Sequence, residues 1–215
     1  MDETIQRIDR ESEKALASLA GCKIQTLLSE SADVAVGQSA IEVMSVSIQL
    51  AKKRFLVIES DWGDTPKEWL DYHCLSARIA GAPRGIRYNP KPPKNGAHYA
   101  NDHLSLRLGA EASVAAVEVL EAHEVGEVES VTYDAGILIT RTDGLKVAII
   151  RADSILGALL IVHAASEIEQ ATEDLKVRLR YGPNNAFKPN PLRCAAHMAE
   201  KACHVLRSTT QVGLT

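Results

Sequence analysis

Three carboxylates crowd a short stretch of this chain: Glu59, Asp61 and Asp64, with Asp71 a few residues on. On a strand, positions two apart project to one face. Paired carboxylates at a strand end are what a hard cation takes, and they can also divide acid and base roles. A metal-dependent hydrolase or nuclease using Glu59, Asp61 and Asp64 is the chemistry this pattern would support. Such an enzyme wants a second acidic-x-lysine strand, for which Asp174 and Lys176 supply the one match. The competing explanation is structural and weighs more. Asp61 and Asp64 suit a turn that runs into a helix start, where negative charge is favourable without any chemistry.

A second cluster lies near the end of the chain. Cys194, His197, Lys201 and His204 are spaced three, four and three apart, which makes one stripe on a helix. Cys194, His197 and His204 would give three of the four ligands of a zinc site, with the fourth from elsewhere. The opposite face, with Leu192, Ala195, Ala199, Ala202 and Leu206, is apolar. The stripe therefore reads first as the polar side of a docked helix, and no metal is expected.

The third group is basic. Arg84, Arg87, Lys91 and Lys94 fall in a long Gly/Pro-rich stretch with Tyr88, His98 and Tyr99 among them, and Lys176, Arg178 and Arg180 alternate along a strand-like segment. Cations interleaved with aromatics can track a phosphate backbone. A charged strand face also simply blunts an edge against aggregation. The net charge of −4 and an aromatic content of 4% disfavour nucleic acid.

No nucleophile elbow, phosphate-binding glycine loop, zinc-protease motif or dinucleotide fingerprint is present. No cofactor is expected. The phrases Ile58-Glu59-Ser60-Asp61-Trp62 and Asp153-Ser154-Ile155-Leu156-Gly157 have the texture of motifs, yet neither carries a family's signature.

The elements that must position these groups read as follows. Residues 3–20 predict a helix, with Ile5, Ile8, Leu16 and Leu19 on one face and Gly21 as its stop. Residues 24–28 predict a short strand. From 41 the period changes to two, and 44–50 with 55–58 predict a hairpin across Lys52 and Lys53. Thr65, Pro66 and Glu68 carry the spacing of a capping box with proline at the first helical position, so a helical turn through Leu70 is expected. Residues 72–80 lean to strand.

Residues 81–103 form the longest irregular stretch, a length that marks a binding loop or disorder. Strands are expected at 104–108 and 114–120, then an acidic connection over 121–129. The clearest hairpin spans 133–150, where aliphatic runs flank Asp143 and Gly144, a pair suited to a tight turn. It should be central and buried, with Arg141 solvated near Lys146. A strand at 158–162 follows. Ser166 and Glu169 repeat the capping-box spacing ahead of a short helix, and 176–181 alternate as a strand. A Pro/Asn linker leads to a last helix over 191–207.

The fold class expected is therefore α+β: a mainly antiparallel sheet built from hairpins, flanked by an N-terminal and a C-terminal helix. Residues 1–182 form a single domain, and 183–215 a linker and helix that pack on the body or on a second copy. Four cysteines without close pairs read as reduced thiols. With no basic-then-apolar leader at the start and no apolar run of about 20 residues, a cytoplasmic protein without membrane contact is expected. The function expected is that of a binding protein rather than an enzyme. It would recognise another macromolecule, a protein in the manner of an inhibitor or immunity factor, through the 81–103 loop and the acidic segment 121–129. A homo-oligomer is compatible with this reading.

Overall fold

The computed structural model describes residues 1–30, 32, 40–86, 103–154 and 156–183. In chain order the elements are β1 (Asp2–Gln6), α1 (Arg10–Ala17), β2 (Lys23–Ser29), β3 (Ile41–Val43), β4 (Ser45–Ala51), β5 (Arg54–Asp64) and β6 (Asp71–Ala80). They continue with β7 (Leu104–Val125), β8 (Glu129–Arg141), β9 (Lys146–Arg151), β10 (Leu159–Val162), α2 (Ala165–Ala171) and β11 (Lys176–Tyr181). Successive strands join into one sheet in the order β3-β10-β9-β8-β7-β2-β4-β5-β6, with β1 added to β8 and β11 to β7. Every pairing is antiparallel except that of β1 with β8.

The two halves of this sheet fold onto each other, so that β6 lies against β8. The core between them is aliphatic, with Val46, Ile48, Leu56 and Ile58 from one half and Val117, Val119, Ile137 and Ile149 from the other. Helix α1 packs against β6 and adds Ala15 and Leu16 to this core. The 133–150 hairpin is central, as its composition predicts: Ile137 faces Ile149 in register, and Gly144 takes the left-handed φ of +85° that the turn needs.

The balanced α+β expectation is overturned. The described residues are mostly antiparallel strand, with two helices of 8 and 7 residues. Residues 3–20 are not one helix. Beyond the end of β9, the free edge of β8 offers unpaired backbone groups, and Asp2–Gln6 satisfy them as a parallel strand. The helix starts only after Asp9, whose carboxylate accepts from the Ser12 amide at 2.7 Å. Most of the linker and the whole 191–207 helix lie outside the described residues.

Three local expectations also change. The 65–70 segment is a hairpin turn between β5 and β6, closed by Thr65 N–H to Leu70 carbonyl at 3.1 Å. The 121–129 stretch is not a connection: β7 runs on to Val125, and only 126–128 turn. Arg141 is 2% exposed rather than solvated. Its register places it at a bulge in β7 around Gly109, φ +77°. There the guanidinium donates to the carbonyls of Leu108 at 2.9 Å and Ala110 at 2.8 Å, which a bulge leaves without ladder partners, and it pairs with Asp143. No helix among the described residues is long and apolar enough to cross a membrane.

Candidate functional site

The carboxylates singled out by spacing do not act together. Glu59 is taken up by two arginines, with Oε2 3.2 Å from Arg78 and Oε1 2.8 Å from Arg84. Asp61 Oδ1 accepts from the Trp62 amide at 2.9 Å, and Asp64 lies across the hairpin from Asp71. Among the described residues, no three His, Cys, Asp or Glu side chains are placed to hold a metal ion. Arg84 is tied to Glu59, and its amide donates to Ser47 Oγ at 2.9 Å. The other expected loop contacts, Arg87, Tyr88, Lys91, Lys94, His98 and Tyr99, lie outside the described residues, as do Cys194, His197 and His204. The basic strand is divided. Arg178 is buried in a bidentate pair with Asp134, 2.6 and 2.7 Å, while Arg180 reaches Glu118 at 3.4 Å and Lys176 is exposed.

Among the described residues, a densely hydrogen-bonded surface forms at the tip where two hairpin turns meet. One is the 65–70 turn between β5 and β6, the other the 126–128 turn between β7 and β8. Glu68 crosses from the first to the second and accepts from the amides of Glu127 (2.7 Å), Val128 (2.9 Å) and Glu129 (2.6 Å). Glu129 crosses in the other direction and accepts from the amides of Lys67 (3.0 Å) and Glu68 (2.9 Å) through one carboxylate oxygen. Gly126 leaves room for this, since a Cβ there would stand 2.3 Å from Glu68 Oε2. β1 joins the clasp, with Asp2 N–H donating to the Val128 carbonyl at 2.9 Å and Lys67 Nζ 2.5 Å from Asp2.

Both carboxyls sit below the usual glutamate range. For Glu68 the Val128 amide is the main cause, helped by the Glu129 and Glu127 amides against partial burial and the charge of Glu129. For Glu129, burial works to raise the value. It is outweighed by hydrogen bonds from the Thr65 side chain and the Glu68 and Lys67 amides, and by the Lys67 charge.

This clasp presents Trp69. The residue has a φ of +59°, a left-handed conformation uncommon for a bulky side chain, and it is 72% exposed. Met1, Val125 and Val128 on the adjoining segments are also exposed. The charged groups on these segments are acidic on balance: Lys67 pairs with Asp2 and Arg151 with Glu124, while Glu3 and Glu127 make no ion pair among the described residues. The sequence points to the acidic 121–129 segment but not to this geometry. Glu68 reads as a capping-box residue because Thr65 and Pro66 precede it. The available signal was that no helix-length apolar period follows.

The chain matches no protein-family model, no curated protein and no solved structure.

Proposed function

We propose that this protein acts by binding rather than by catalysis, and that it recognises a protein with a basic surface through the clasped tip around Trp69. The observation that carries the reading is the combination of an exposed tryptophan in a disfavoured backbone conformation with two carboxylates spent on holding its turn rigid. Strained, rigid positions persist only where the surroundings enforce them, and they concentrate at functional sites. Tryptophan is also the residue most enriched among those that dominate binding energy. The acidic rim gives the partner its sign, through steering and through exclusion of like-charged surfaces. An inhibitor-like or immunity-like accessory protein of the cytoplasm fits this description, and the free thiols of Cys22 and Cys74 accord with a reducing compartment.

The test is photo-crosslinking in the cells that make the protein, with a photoreactive residue at position 69 or, as control, at the exposed position 177. A discrete adduct to a basic protein from 69 and none from 177 is the expected result. Equal adducts from both positions, or none from either, would count against the tip.

A further inference from the structure

The two motif-like phrases of the sequence, 58–62 and 153–157, meet in space. The loop after β9 lies against β5 so closely that a Cβ at Gly157, φ +70°, would stand 2.9 Å from Asp61 Cα. Between them opens a cleft of about 570 Å³ whose polar lining is Trp62, Asp71, His73, Arg151, Asp153 and Ser154. That volume suits a small organic ligand rather than a bare ion.

The lining is fixed from behind. Trp62 Nε1 donates to Asp71 at 3.2 Å, which sets the indole as a wall beside that carboxylate. Arg151 is paired with Glu124 at 2.8 Å and sits over the Tyr133 ring, 5.2 Å from its centroid. His73 is 4% exposed, stacks on Tyr133, and has Nδ1 3.2 Å from Ser60 Oγ. The Ser60 hydroxyl has one proton, and it also points at the Asp61 carbonyl, 3.4 Å away. Either partner can donate in the Ser60–Nδ1 contact, and the neutral tautomer with its hydrogen on Nδ1 presents Nε2 to the cleft as an acceptor. No described residue hydrogen-bonds Nε2. Burial and the Arg151 charge hold the imidazole neutral, against the pull of Asp71 and Asp153.

The charge balance then decides the ligand. Arg151 is already paired with Glu124, and among the described residues no ion pair reaches Asp71 or Asp153. They do not converge with His73 on a metal-sized point. We infer that the cleft binds a guanidinium group, held between Asp71 and Asp153 with one N–H donated to His73 Nε2 and its plane against Trp62. A planar cation with forked donors satisfies separated carboxylates and stacks on an aromatic face, which an ammonium does less well. This site stands apart from the Trp69 surface, and neither reading depends on the other.

The experiment follows Trp62 fluorescence in the Trp69→Phe protein, where it is the remaining tryptophan. Agmatine, a short arginine-containing peptide and the same peptide with citrulline are titrated in turn. Saturable quenching by the guanidinium probes and none by citrulline is expected. Asp71→Asn and Asp153→Asn should each weaken it by about tenfold or more while melting as wild type does. Tighter binding of agmatine would mark a free small cation as the ligand, and tighter binding of the peptide an arginine side chain of a partner. Absence of saturable quenching by either probe, an equal response to citrulline, or binding undiminished in both Asn variants would overturn the assignment.

Discussion

Glu68 and Glu129 each fasten the turn that carries the other, one accepting from three backbone amides and the other from two. Hydrogen bonds to the ionised form are what keep both carboxyls below their ordinary value of 4.5. A lowered folded-state pKa means that the clasp is fully present above the unfolded value and is lost as pH falls through the folded one. The amides of 127–129 should therefore be protected from hydrogen exchange at pH 6 and lose protection below about pH 4.5. Glu68→Gln should remove that protection already at pH 6. Unchanged exchange at these amides in the Gln variant would show that the clasp does not hold the tip.

The buried pair of Asp134 and Arg178 gives a test of how the terminal segments are tied down. Asp134, 1% exposed, also accepts from Arg7 at 3.2 Å and from the Ile8 amide at 2.9 Å. It thus joins β8, β11 and the lead into α1. Asp134→Ala leaves two part-buried guanidinium groups short of an anion and should cost about 3–5 kcal/mol. Denaturant unfolding measures it, and a loss under about 1 kcal/mol would show these segments to be independently held.

Core placement is tested within one strand. Ile137 is fully buried between the halves of the sheet, whereas its neighbour Leu138 points to the other face and is only partly covered. Ile137→Ala should cost about 2–5 kcal/mol, and Leu138→Ala clearly less. Equal losses would contradict the register.

What the sequence disclosed and what it hid follow from the range of the interactions. The hairpins at 44–58 and 133–150 were legible because alternation and turn residues are local signals. The N-terminal strand was not, because Ile5 and Ile8 fit a helical period and only a distant edge of β8 selects a strand. Arg141 was misplaced for the same reason: the carbonyls it caps lie in a bulge about 30 residues away. The tip and the cleft are assembled from segments far apart in the chain. Spacing could name Asp61 and Asp71, but it could not reveal that Glu59 is consumed by Arg78 and Arg84.

His73 provides a pH signature of the cleft. Burial first and Arg151 second depress its pKa below the usual 6.5. For a depressed value the associated stability is present above pH 6.5 and declines as pH falls toward the folded-state pKa, because the unfolded chain takes up the proton first. Denaturant midpoints of the wild type should drop as pH falls below about 6.5, and those of His73→Phe should be flatter there. Parallel slopes would show that His73 is not held neutral.

The central claim is that Trp69 on its clasped turn is the surface by which this protein binds. The most direct measurement is quantitative affinity capture from the cells that make it, with wild type and Trp69→Ala matched for folded concentration and melting temperature. The exposed side chain makes little contribution to the core, so the two should melt alike. The account predicts a basic protein captured by the wild type, released as salt is raised, and reduced about tenfold or more in the Ala variant. Identical protein sets on the two baits, at equal yield, would contradict it.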